Sequence, residues 1–228
     1  LKQLNVYGGI DSPLESQDGI PICQKAFDGS PVLCDKAVLN HWLKKRNASS
    51  STKQIMLFNT ISLHDGNRVI GGQVHSGIAG YKERLSILFN DLQDFLAQLE
   101  RSQRNTLVIL IPEHGAALRG DKMQLSGIRE IPSPSITHIP VAAKFIGPQL
   151  KRTGTIARIV DNSSFLSIST LIAKTMQLNI FSAESFRPQS LGEGLPTTAV
   201  VSQNEGSTVI RADGKNYVTV DGRQWSAY

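Results

Sequence analysis

The chain has 228 residues, 40% of them hydrophobic and 19% charged, with a formal net charge of +5. That balance excludes a largely disordered polymer and leaves enough apolar side chains for a sizeable core. No apolar run reaches the roughly eighteen residues a membrane-spanning helix needs, and the basic residues are too dispersed for a nucleic-acid footprint, so no nucleic-acid partner is expected.

The opening LKQLNVYGGIDSPLESQDG has neither the basic nor the apolar region of a signal peptide, so any export information is expected upstream. Cys23 and Cys34 enclose a segment with Gly29, Ser30 and Pro31. A local disulfide in an oxidising compartment and two unrelated reduced thiols are both open, and without a CxxC unit a thiol-based zinc site is disfavoured. VLNHWLKK, residues 38 to 45, reads as a helix in which packing accounts for His41 and Trp42.

QIMLFNTISL, residues 54 to 63, reads as a buried strand that delivers His64 and Asp65 to a loop. From Tyr81 to Gln103, Leu85, Leu88, Phe89, Leu92, Phe95, Leu96 and Leu99 recur at helical intervals, which predicts a long amphipathic helix. TLVILIP, residues 106 to 112, is a second continuous apolar strand. Strand, helix and strand in this order predict a crossover unit and an α/β fold with a mostly parallel sheet covered by helices. Ligands of such sheets bind beyond the carboxyl ends of the strands, where His64, Glu113 and His114 would then gather.

A third strand is expected at IPVAAKFIG, residues 139 to 147, and a helix at Phe165 to Met176, with Ser163 or Ser164 as its cap. The tail STVIRADGKNYVTVDGRQWSAY alternates apolar and polar residues around two Asp-Gly pairs, which predicts a small antiparallel C-terminal meander. The expected organisation is one α/β part over residues 1–200 followed by a β-hairpin tail over 201–228.

Glu113 and His114 supply a carboxylate oxygen and an imidazole nitrogen, both good zinc donors, immediately beyond an apolar strand. The plainer alternative is a strand that stops on two polar surface residues. His64 gains meaning only in combination with them, and Asp65 is equally explained by an Asp-Gly turn. Arg129 lies in the turn-rich segment GDKMQLSGIREIPSPSITHIP, where a guanidinium suits bidentate contact with phosphate or sulfate, although a surface salt bridge is the commoner fate of an arginine. Arg119 and Lys122 carry the same ambiguity, and His75 and His138 are read as structural or solvent-exposed.

The succession FNTISLHDGN, then PEHGAALRGDKMQLSGIREIPSPSITHIPV, then SSFLSIS, with FDGSPV before and GLPTTAVVS after, resembles the carboxyl-terminal part of the cellulose phosphoethanolamine transferases. The resemblance covers nearly the whole chain. It implies a periplasmic catalytic domain of an inner-membrane protein, with an alkaline phosphatase or sulfatase type of fold. By the same resemblance Glu113 and His114 fall on zinc ligands, His64 on a histidine implicated in catalysis, and Arg129 on an arginine at the phosphate group. The family's nucleophilic serine and the cysteine that completes its metal site precede FDGSPV and match nothing in residues 1 to 20, so the chain is expected to be a carboxyl-terminal portion of a longer protein.

The implied reaction is a two-step transfer through that serine, from phosphatidylethanolamine as donor to glucosyl hydroxyls of cellulose as acceptor, beside the cellulose synthase complex. A metal-dependent phosphatase or sulfatase would share the fold and release its product to water. A noncatalytic lobe that binds cellulose or a synthase partner is the alternative from another class, and the absence of a spaced tryptophan platform counts against it.

Overall fold

A computed structural model describes residues 19–72, 77–116, 118–120, 133–150, 156–178, 180–182, 188–203 and 206–228. The chain divides into two compact units, residues 1–98 and 99–228.

In the first unit, β1 (Ile22–Lys25) pairs antiparallel with both β2 (Pro31–Leu33) and β3 (Arg68–Val69), in the order β2-β1-β3. The turn between β1 and β2 closes where Asp28 Oδ1 accepts from the Ser30 amide at 2.9 Å. Cys23 on β1 forms a disulfide with Cys34, the residue that caps the following helix, which decides between the two states the sequence left open.

That helix, α1 (Asp35–Ala48), buries Leu39 and Leu43. It lies against α2 (Gly77–Arg101): the Trp42 and Phe95 rings meet at 5.9 Å, Gln98 Nε2 donates to Asn40 Oδ1 at 2.9 Å, and Lys36 pairs with Asp94 at 2.6 Å. The leucines and Phe95 carry most of this packing, at about 1.5–3 kcal/mol per fully buried side chain, because the exposed ion pair is screened by water. The amphipathic helix expected at 81–103 is α2. Its buried stripe runs through Arg84, Leu88, Phe95 and Leu99, while Phe89 faces solvent.

QIMLFNTISL does not form the expected strand. Ile55 is 96% and Leu57 73% exposed, and no described residue offers the segment a ladder. Its composition signals a demand for burial, but strand formation also requires a partner for the backbone amides and carbonyls.

In the second unit, β4 (Thr106–Leu110) pairs with β5 (Ala142–Ile146), both as predicted in position. Their pairing is antiparallel, from Thr106↔Ile146 to Leu110↔Ala142. A mostly parallel sheet is not seen: every pairing among the described residues is antiparallel. The cause is local to the β4 exit. The Gly115 amide donates to the Ile136 carbonyl at 2.7 Å, so the short helix α3 (Pro134–Thr137) brings the chain back to the end of the sheet it has just left. A strand that starts from there can only run antiparallel to β4.

The core of this unit is Leu171, Ile180 and Leu191, against which Ile109 of β4, Phe145 of β5 and Leu195 pack. Leu171 belongs to α4 (Phe165–Gln177), Ile180 to a single 3-10 turn at Ile180–Ser182, and Leu191 to α5 (Pro188–Gly192). Ser164 caps α4 as expected and forms a full capping box: its Oγ accepts from the Leu166 amide, and Ser167 Oγ accepts from the Ser164 amide, both at 3.3 Å.

The predicted tail is a four-stranded antiparallel meander of β6 (Val200–Gln203), β7 (Thr208–Ala212), β8 (Lys215–Thr219) and β9 (Ser226–Ala227). Asp213 and Gly214, at φ 48° and 74°, form its two-residue hairpin turn, and Val209 and Val218 face each other on its buried side. Among the described residues no helix is long and apolar enough to cross a membrane.

Candidate functional site

β4 ends at Leu110, and Pro112, with no amide hydrogen to give, leads the chain out of the sheet into a bend at Glu113 and His114. Both side chains are exposed. The bend is anchored one residue later by the Gly115–Ile136 hydrogen bond. The backbones approach so closely there that a Cβ on Gly115 would lie 2.0 Å from the Ser135 carbonyl oxygen. The glycine therefore answers to the neighbouring α3 segment.

His114 Nδ1 lies 2.8 Å from the Gly115 carbonyl oxygen. A carbonyl only accepts, so Nδ1 carries the proton, and the neutral ring has its lone pair at Nε2. This is the tautomer of a metal-ligating histidine whose other nitrogen is fixed by a carbonyl. With the Glu113 carboxylate beside it in sequence, the donor set suits zinc. Among the described residues no group of three or more His, Cys, Asp or Glu is arranged to hold a metal ion, and the bend by itself presents two candidate donors, where a catalytic zinc usually has three protein ligands.

His64 belongs to the first unit, and Glu113 and His114 to the second. A compact turn over residues 61–67, not a strand end, carries His64. Its amide donates to the Ile61 carbonyl at 3.0 Å, and the Asn67 amide donates to the His64 carbonyl at 3.2 Å. Gly66 takes φ 81°, and a Cβ there would fall 2.7 Å from Phe27 Cβ, so the position requires glycine for both conformation and space. His64 Nδ1 lies 3.0 Å from the Asp65 carbonyl oxygen, which again places the lone pair of the neutral ring at Nε2. The Phe27 ring, from the β1–β2 turn, stacks on the imidazole with centroids 6.2 Å apart and planes 21° apart.

The turn is tied down on two further sides. Ser62 Oγ donates to Asp35 Oδ2 at 2.5 Å, at the start of α1, with both residues buried. Arg84 Nη1, from α2, donates to the Asn67 carbonyl at 2.6 Å. Phe27, Asn67 and Arg84 were not anticipated as residues of the site. A signal existed for Arg84, a charge on the apolar stripe of α2, and for Asn67, which closes the HDGN turn.

Arg129, Lys122 and His75 lie outside the described residues. Arg119 is exposed in a turn, His138 follows α3 as its C-cap, and His41 is a half-buried residue of α1.

Residues 1–225 match the family described as Cellulose biosynthesis protein BcsG C-terminal domain. Cellulose biosynthesis protein BcsG of Escherichia coli (strain K12) is 42% identical over 228 residues, which is 100% of this chain and 40% of that protein. The protein of the same name from Salmonella typhimurium (strain LT2) is likewise 42% identical over 228 residues, again 100% of this chain and 40% of its own length. The chain thus spans well under half the length of these curated relatives.

Proposed function

Because the chain belongs to the family of cellulose biosynthesis protein BcsG C-terminal domains, we propose that it acts in cellulose biosynthesis as the zinc-holding part of a phosphoethanolamine transferase. The observation that carries this reading is the Glu113–His114 bend: two zinc donors held by the Gly115–Ile136 contact, with His114 in the tautomer that offers Nε2 to a metal. Glu113 and His114 would hold the zinc, which when bound would supply Lewis-acid charge to a phosphoryl group and lower the proton affinity of a hydroxyl.

In the proposed reaction a serine oxygen bonds to the phosphorus of phosphatidylethanolamine while the bond from phosphorus to the diacylglycerol oxygen breaks, and the serine proton ends on diacylglycerol. A glucosyl hydroxyl of cellulose then displaces the serine, which regains a proton. None of the motifs matched in this chain contains the family's nucleophilic serine, so the serine of this step is not assigned to a residue here. His64, with its Nδ1 proton committed to the Asp65 carbonyl, exchanges a proton at Nε2 with the departing or attacking oxygen. Arg129 pairs with the phosphate oxygens.

The alkaline phosphatase or sulfatase type of fold, the cellulose synthase complex as partner and the periplasm as location belong to the same proposal. The Cys23–Cys34 disulfide supports the location, since such bonds persist in oxidising compartments.

The test is zinc content by elemental analysis of the protein and of a Glu113→Ala, His114→Ala double variant, alongside transfer assays of both and of His64→Ala. Loss of zinc in the double variant is expected, with His64→Ala keeping its zinc and losing transfer. Equal zinc in the parent and the double variant sinks the assignment.

A further inference from the structure

Arg84 is 5% exposed and Asn67 1%, although each is a polar residue on a surface turn or on the flank of a helix. Such burial costs free energy unless specific hydrogen bonds return it, and here those bonds all converge on the turn that carries His64. Arg84 Nη1 donates to the Asn67 carbonyl at 2.6 Å, Asn67 Nδ2 donates to the Ile61 carbonyl at 2.6 Å, and the Asn67 amide donates to the His64 carbonyl at 3.2 Å. One asparagine thereby bridges the two ends of the turn through its side chain, grips the histidine's own carbonyl through its amide, and is held to α2 through its own carbonyl.

The arginine is a poor device for stability alone. Burial lowers its pKa, while Asp65, Tyr81 and Glu83 work in the opposite direction and favour the charged form. Its guanidinium carbon also lies 6.0 Å from the Tyr81 ring centroid, a cation–π contact that orients the fork. An apolar residue at position 84 would continue the stripe formed by Leu88, Phe95 and Leu99 without any of this cost.

We infer that Asn67 and Arg84 are positioning residues for His64, a buried clamp that fixes where its imidazole stands in the transfer reaction. This rests on the proposed role of His64, and it adds two residues that touch neither the substrate nor a metal. A displacement of about 1 Å in a reacting group lowers turnover by roughly a hundredfold, so the clamp acts on kcat more than on KM.

The experiment uses the full-length zinc-loaded protein with Asn67→Ala, Arg84→Lys, Arg84→Met and His64→Ala variants. Four quantities are read: kcat and KM for transfer from phosphatidylethanolamine, the thermal midpoint, and the NMR signal of the selectively labelled His64 ring. The expected result for Asn67→Ala and Arg84→Met is a kcat lowered about 10- to 100-fold, a KM within about threefold, and a His64 ring signal that shifts or broadens. Arg84→Lys, which keeps the charge and one donor, should recover part of kcat. A folded Asn67→Ala protein with unchanged kcat and an unchanged His64 signal overturns the inference. If the substituted proteins do not fold, backbone order parameters of residues 62–67 in the parent decide: about 0.85 supports the clamp, and below about 0.6 overturns it. Full activity in His64→Ala would overturn the catalytic reading of His64 separately, while the ring signal still reports whether the clamp orders it.

Discussion

Gly115 and Ser135 are in such close backbone contact that a single added methyl group would lie 2.0 Å from the serine carbonyl oxygen. Since the Gly115 amide also holds the Ile136 carbonyl, substitution must move either the Glu113–His114 bend or the α3 segment. Gly115→Ala should therefore destabilise the protein by about 1–3 kcal/mol and, if Glu113 and His114 hold zinc as proposed, lower its zinc content, although neither side chain has been changed. Chemical denaturation with parallel elemental analysis checks both effects. Parental zinc content in a destabilised Gly115→Ala protein would separate the bend from the metal.

The Cys23–Cys34 bond closes a short loop over the β1–β2 hairpin, with a sequence separation of 11. A loop of that size restricts the unfolded chain by about 3 kcal/mol, and the bond also fixes the hairpin to the start of α1. A Cys23→Ser, Cys34→Ser double variant should unfold at lower denaturant concentration by about that amount. Reductant should shift the parent by a similar amount and leave the double variant where it is. A parent indifferent to reductant would show that the bond contributes nothing to stability.

At the second Asp-Gly pair, Asp221 Oδ1 accepts from the amides of Arg223 at 2.8 Å and Gln224 at 3.0 Å, and from Thr219 Oγ1 at 3.1 Å. The Gln224 amide is the largest cause, followed by that of Arg223, and together they hold the carboxyl below the usual carboxylate range. Because the folded pKa is depressed, the stabilisation is fully present above the unfolded value near 4 and is lost as pH falls through the lower folded value. The Arg223 and Gln224 amide resonances should therefore move together at acid pH with a midpoint below about 4. Asp221→Ala should abolish that shared titration, and a midpoint above 4 would contradict the sign.

These local devices were readable in the residues because each is specified within a few positions: the stripe of α2, the Ser164 cap, the Asp213–Gly214 turn. Strand pairing was not, because it depends on where the chain goes next. TLVILIP announces a strand, but its partner's direction is decided by the Gly115–Ile136 contact, which no periodicity encodes. QIMLFNTISL carries the composition of a buried strand without a ladder among the described residues to make it one. At the candidate site, donor chemistry singled out Glu113, His114 and His64. Of the residues that hold His64, Arg84 is marked by a charge on an apolar stripe and Asn67 by its place in the HDGN turn, but those that act through a ring face have no signature of their own.

Phe27 acts in that way, and it is 69% exposed, so its contribution to stability should be small. Its ring lies nearly parallel to the imidazole of His64, and the Gly66 conformation brings the two turns together. An aromatic face at that distance shifts neighbouring protons through its ring current, a test that requires no assumption about the reaction. Phe27→Leu should move the His64 ring protons downfield, alter the thermal midpoint by no more than the equivalent of about 0.5 kcal/mol, and leave the Asn67 amide resonance in place. Phe27→Tyr keeps the ring and should keep the shift. If the proposed role of His64 holds, Phe27→Leu should also lower transfer several-fold while Phe27→Tyr retains it, since a side chain free to rotate spends less time with Nε2 in the productive position. A His64 resonance identical in all three proteins would show that the stacking does not persist in solution, leaving the clamp through Asn67 and Arg84 as the means by which the turn is held.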